Sequence, residues 1–216
     1  MSFNKLSGLF KLYTECINNP NRLDLSEKAP WLKYAYGELY VQAWKPKNNP
    51  RISEYFNATT NLKGKDDNTN WCGAFTSWCV READITPPKI SARAAMWQLW
   101  KQIPEPIYGA FGVIDNGEND AIDITNPIRT ERKYGGAGHI TIIVGKSEDG
   151  TRLFCLGGNQ GGTSGKRFVN ISSRKKTDFD WFVIPPDYTP KKEEYTLPIM
   201  KNTNDINNMT DENTRN

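Results

Sequence analysis

Histidine is almost absent from this chain of 216 residues: His139 is its one imidazole. Cysteine is scarce too, with thiols at Cys16, Cys72, Cys79 and Cys155. There is no CxxC pair, and one imidazole cannot complete a tetrahedral zinc site, so neither a metal nor an organic cofactor is expected. Cys72 and Cys79 cannot bridge if they share a helix. At about 1.5 Å per residue their Cα atoms stand roughly 10 Å apart, and a disulfide needs less than about 7 Å. Free thiols are expected. No apolar run approaches 18 residues, which excludes a membrane-spanning helix. Charge of one sign is also lacking, since 28 Lys+Arg against 25 Asp+Glu leave +3. That field is too weak to make nucleic acid or an anionic membrane the main partner.

Aromatic side chains are plentiful: 7 Trp, 9 Tyr and 9 Phe, within a hydrophobic share of 37%. One domain with a lead-in and a tail fits this length. Residues 1–30 read as a helical extension, with Phe3, Leu6, Phe10, Tyr13 and Ile17 at spacings of three and four. Lys5, Lys11 and Glu15 interrupt that apolar face and no small-residue cleavage site follows, so it does not read as a secretory leader. Residues 31–188 read as the folded unit. Residues 189–216 read as a polar, flexible tail; the last 16 residues hold six Asn and one Ile, too little apolar surface to order themselves.

Within the folded unit, helices are expected over 31–41, 49–60, 71–83 and 92–100. Strands are expected over 110–114, 139–144, 152–156 and 179–184. Helices first and strands after argue for an α+β fold with a mainly antiparallel sheet.

The segment from Asn68 to Cys79 carries the first chemical signal. Asn70 is an N-cap candidate, which sets Cys72 at the second helical position. Free backbone N–H groups and the positive end of the helix dipole stabilise a thiolate there. The plainer alternative is a buried cysteine in an aromatic helix. His139 opens the β-branched run HITIIV after a glycine-rich stretch. It is either a bystander or the one group able to act as base for a thiol. A base of this kind needs a third group to orient its ring. Asn159, 20 residues on and beyond the next strand, can return beside His139 in an antiparallel pair; the alternative is a turn residue among glycines.

These features occur in order with others: Trp31-Leu-Lys-Tyr-Ala-Tyr-Gly-Glu38, Asn49 to Tyr55, Asp67, Trp71-Cys-Gly-Ala-Phe75 with Trp78-Cys79, Gly109 to Ile114, Gly138 to Gly145, and Leu156-Gly-Gly-Asn-Gln160. Together they resemble the CHAP-like, NlpC-related papain-fold cysteine peptidases that act on bacterial cell-wall peptides. The resemblance implies Cys72 as nucleophile, His139 as general base and acid, and Asn159 as orienting residue. It also implies an oxyanion hole formed partly by the Cys72 N–H, with Gln160 and Trp71 binding substrate or supporting the site. Residues 115–137 exceed the short loop common in that family and could act as a lid or rim.

Other signals are weaker. Residues 115–120 lack the glycine and flanking helix of a calcium loop. Residues 161–166 fail as a phosphate loop, because Arg167 stands where Ser or Thr is required. The basic run Lys166, Arg167, Arg174, Lys175 and Lys176 is either a solvated hairpin face or an attractor for an anionic polymer such as the cell wall. Trp97 and Trp100 read as core.

The expected activity is thus hydrolysis of an amide in peptidoglycan peptides. Synthesis in the cytoplasm and specialised export follow from the missing leader, with action at the cell wall or periplasm of a target cell. An antibacterial effector delivered by type VI secretion, paired with an inhibitor (immunity) protein, fits this pattern. The alternatives are a phage-type lysin, a non-catalytic wall-binding module on the same fold, and a papain-like enzyme acting on proteins inside a host cell.

Overall fold

The computed structural model of the chain describes residues 29–44, 48–115, 138–161 and 166–200. Three helices come first: α1 (Trp31–Gly37), α2 (Pro50–Asn57) and α3 (Cys72–Glu82). A 3-10 segment, Ala94–Leu99, leads into the strands. These are β1 (Lys101–Ile103), β2 (Phe111–Ile114), β3 (His139–Lys146), β4 (Arg152–Gly161), β5 (Arg167–Lys175) and β6 (Trp181–Ile184). They form one sheet in the order β1-β6-β2-β3-β4-β5, with antiparallel pairing throughout. The fold is α+β.

Local chemistry accounts for the helix starts. Asn49 caps α2 by accepting the Arg51 N–H at 2.9 Å, and Pro50 supplies a preset φ at the first helical position. In α3 every residue from Cys72 to Val80 except Trp78 is buried. Such a helix is wrapped on all sides, here by β3 and β4 beneath and by α1 and α2 above. Thr76 and Ser77 donate their hydroxyls back to the Cys72 and Gly73 carbonyls, at 3.0 and 2.7 Å. Both hydroxyls are therefore satisfied inside an apolar surround. A clamp joins the first two helices to the third: Arg51 grips Glu38 through Nε and Nη2, at 2.9 and 2.6 Å, and lies over the Trp78 ring.

Strand β3 is buried from Ile140 to Gly145 on both faces, which suits its central place and its unbroken apolar run. The largest buried side chains include Trp31, Trp71 and Trp97, all fully covered. Each buried side chain of this size contributes about 2–3 kcal/mol.

Several elements differ from expectation. The segment expected as an α-helix over 92–100 is a 3-10 turn, in which Trp97 donates to the Ser91 carbonyl at 2.9 Å. Its tryptophans stack on each other and on Phe111, so tertiary packing governs its geometry. The basic run is largely strand β5; its cations cluster at the two ends and obscure a middle containing buried Val169 and Ile171. The boundary expected after residue 188 is not where packing stops. Glu194 and Leu197 are buried, and Lys146 exchanges backbone hydrogen bonds with Pro198 and Met200, both at 2.9 Å. The expected N-terminal helix, the calcium-like loop beyond Asp115, the lid expected over 115–137 and most of the phosphate-loop fragment lie outside the described residues, as does Cys16. No helix among the described residues is long and apolar enough to cross a membrane.

Gly158 shows how tightly the helix sits on the sheet. A Cβ there would lie 2.6 Å from both the Phe75 Cβ and the Trp71 Cζ3. Gly158→Ala is expected to lower unfolding free energy by about 1–3 kcal/mol, as overpacked cores do. Urea melts check this, and an unchanged midpoint would contradict the packing of α3 on β4.

Candidate functional site

The site begins with the start of α3. Trp71 is the N-cap residue, at φ −116 and ψ 14, and Cys72 is the first helical residue. The expected cap, Asn70, does not cap the helix. Its Oδ1 instead accepts from Asn159 Nδ2 at 3.3 Å. Cys72 is 4% exposed. Its sulfur draws on its own backbone N–H, that of Gly73, and that of Ile140 across the interface.

The Ile140 amide is available for a structural reason. Ile143 donates towards β2, to the Ala110 carbonyl at 2.8 Å. Alternation along β3 then turns the Ile140 N–H the other way, towards β4. The β3–β4 register runs from Ile142↔Leu156 onward, so the amide of Ile140 lies beyond it. The sulfur occupies that gap, and the neighbour of Ile140 is His139. Sequence-distant Cys72 and His139 are therefore brought to the same end of β3.

His139 Nε2 lies 3.3 Å from Gln160 Oε1. The direction of this bond is fixed from behind. Gln160 is 2% exposed, and its Nε2 faces four oxygens: the carbonyls of Cys155, Gly157 and Asn170, and Asn170 Oδ1, at 2.7 to 3.2 Å. Reversing the amide would set oxygen against oxygen. Ser172 donates its hydroxyl to the same Oε1 at 2.8 Å. Oε1 is thus an acceptor, His139 carries its proton on Nε2, and Nδ1 holds the free lone pair.

The residue at this position was expected to be Asn159, and the register explains why it is not. Gly157 pairs with Asn170, but Gln160 pairs with Phe168, so β4 holds one residue more than β5 across this stretch. This is a β-bulge. Asn159 occupies it with φ +57, a left-handed conformation that Asn tolerates better than most residues. Gly157 shares a face with Thr141, since a Cβ on it would lie 2.7 Å from Thr141 Oγ1. Without the bulge, Asn159 would follow on that face beside His139. With it, Gln160 takes the place and Asn159 turns out to Asn70. The two glycines before Asn159 are the signal in the sequence that marks such a bulge.

Trp71, expected to bind substrate or support the site, is fully buried, with its ring 6.1 Å from that of Tyr55. Covered on all sides, it has no surface to offer a ligand. Gln160 was expected only as a helper and holds the imidazole. Sequence reasoning missed Ser172, which lies in the strand that the basic run concealed.

Burial pushes the Cys72 thiol above its ordinary range, with the three N–H groups and Arg174 opposing it. Burial, followed by the positive charge of Arg174, holds His139 down at about 4, against a smaller opposing contribution from Gln160. At neutral pH both groups are uncharged, a thiol and an imidazole at the same end of β3. A hollow lined by Gly150, Thr151, Arg152 and Lys175 lies at the opposite end of β4 and β5, away from this chemistry. Cys72, Cys79 and Cys155 are free thiols. Among the described residues no group of His, Cys, Asp and Glu gathers as metal ligands.

The depressed His139 makes stability depend on pH. The unfolded chain takes up this proton near 6.5 and the folded chain only near 4. Between those values the unfolded state binds more protons, so stability falls as pH falls through that window. Urea melts from pH 7 to 4.5 should show a steeper loss in the wild type than in His139→Gln; equal slopes would contradict a half-buried neutral imidazole. Comparison with known proteins finds no family model, no curated protein and no solved structure that matches this chain.

Proposed function

We propose that this chain is a papain-like cysteine amidase or endopeptidase that hydrolyses an amide bond in bacterial peptidoglycan peptides. The reading is carried by one arrangement: the Cys72 sulfur at a helix start takes the N–H next to His139, whose ring is held by the Gln160 carboxamide. The ordered motifs from Trp31 to Gln160 supply the substrate class, as a resemblance.

In this mechanism the Cys72 sulfur attacks the amide carbon while His139 Nδ1 takes its proton. The oxyanion that forms is met by backbone N–H groups at the start of α3, where unpaired donors and the helix dipole favour negative charge. The carbon–nitrogen bond then breaks, and the imidazolium gives its proton to the leaving amine. Water, deprotonated by the same nitrogen, attacks the thioester, and the thiol leaves with the proton restored. In this reading Gln160 keeps the proton on Nε2 throughout, which leaves Nδ1 as the nitrogen that serves the sulfur.

The proposal extends to biology. The enzyme acts at the cell wall or periplasm of a target cell, as an effector delivered by type VI secretion with a cognate inhibitor protein as partner. A phage-type lysin shares the same chemistry. In the non-catalytic alternative, a wall-binding module, wall binding would survive Cys72→Ser and no bond would be cut.

Muropeptide digests read by mass spectrometry test the reading. Wild type is expected to release new amine and carboxylate ends, and Cys72→Ala and His139→Ala to release none while remaining folded. Gln160→Ala should lower kcat by at least about tenfold more than Asn159→Ala, because only the former frees the ring. Full cleavage by Cys72→Ala would overturn the proposal, and a larger loss in Asn159→Ala would overturn the role of Gln160.

A further inference from the structure

Strand β5 brings a second kind of chemistry to the site. Ser172 and Arg174 are two residues apart on it and share a face of the sheet. Ser172 touches the same Gln160 oxygen that meets His139. Arg174 stands one pleat further along, paired with Leu153. Its Nε is fully covered and has no hydrogen-bond partner among the described residues, although the residue as a whole keeps some exposure. A buried charged donor left unpaired is costly and is expected to meet an acceptor. Nor does any carboxylate among the described residues pair with this guanidinium. Arg167 adds a second cation at the near end of β5, its Nη1 lying against Gly161.

We propose that Arg174 is a specificity-determining residue that binds a carboxylate of the substrate beside Cys72 and His139, so that the site takes acidic peptides. The inference rests on the reading of the site as a peptide amidase and adds the charge of its substrate. The positive charge of Arg174 also favours the Cys72 thiolate and disfavours a protonated His139, which agrees with a guanidinium close to both. A planar guanidinium matches a carboxylate through two parallel N–H donors, where an amidated or cationic side chain offers no such fit. Arg167, paired with Gly161 at the other end of β5, adds positive charge that attracts the same anion.

Two measurements test this separately from the activity. The first is the ratio of Cys72 alkylation rates by iodoacetate and by iodoacetamide, followed by mass spectrometry of the Cys72 peptide. The two reagents differ chiefly in a carboxylate against a carboxamide. Arg174→Gln is expected to lower the ratio by about tenfold, with Arg174→Lys recovering part of it. An equal ratio in wild type and Arg174→Gln would overturn the proposal. Should Arg174→Gln fail to fold, the wild-type ratio is compared with that of a free cysteine peptide. A higher ratio in the protein supports the proposal, and an equal or lower one overturns it.

The second measurement is hydrolysis of wall peptides whose carboxylates are free or amidated. Wild type should prefer the free acid through KM, and Arg174→Gln should lose that preference while a merely structural role would depress both substrates alike. Equal treatment of the two by wild type would overturn the proposal. If no wall peptide is cleaved while the iodoacetate preference holds, the amidase reading fails and the anion site stands.

Discussion

The site depends on one buried carboxamide. Gln160 can point in only one direction, because its nitrogen is surrounded by four oxygens at 2.7 to 3.2 Å. That choice turns its oxygen towards His139 and decides which ring nitrogen carries the proton. The nitrogen left with a lone pair is then a matter of packing and not of pH. A side-chain amide serves this purpose without introducing a charge, which the burial around His139 would make expensive.

The scaffold supplies the other half. Helix α3 is anchored on all sides, so the position of Cys72 at its first turn is determined by core packing and not by a loop. Gly73 makes this placement possible: a Cβ there would fall 2.6 Å from the Ser91 and Ala92 carbonyls. The sulfur therefore sits where helix N–H groups and a free strand N–H converge, while burial keeps it protonated at rest. Holding both groups neutral avoids placing two charges in a poorly hydrated site.

The sequence conveyed the coarse order well. Helices before strands gave the α+β class, and the β-branched run after His139 marked a strand, which proves to lie in the interior of the sheet. What it conveyed poorly had local physical causes. Strand β5 was hidden because lysines and arginines crowd its ends, and a count of charge outweighed the alternation of Val169 and Ile171. The tail beyond residue 188 reads as polar, yet Glu194 is buried, accepting the Tyr188 hydroxyl at 2.5 Å. Such specific pairing leaves no mark in composition.

At the site, Cys72 and His139 stood out by type and rarity, since a thiol at a helix start and a solitary imidazole are unusual features. The third residue was displaced by one position. A single bulge residue reverses which side chains face a neighbour, and Asn159 looked right by family pattern while Gln160 took the place by register. Glycine pairs before a polar residue near a strand end are worth reading as bulges before any side chain is assigned to a face.

A chain with one histidine allows a direct measurement. Ring nitrogen shifts of 15N-labelled protein report the tautomer of His139 without ambiguity of assignment. A proton on Nε2 and a free lone pair on Nδ1, unchanged between pH 8 and 5.5, is the expected result. A ring protonated on Nδ1, or one that titrates near 6.5 as a free imidazole does, would contradict the hold of Gln160 on His139 and with it the chemistry derived from that contact.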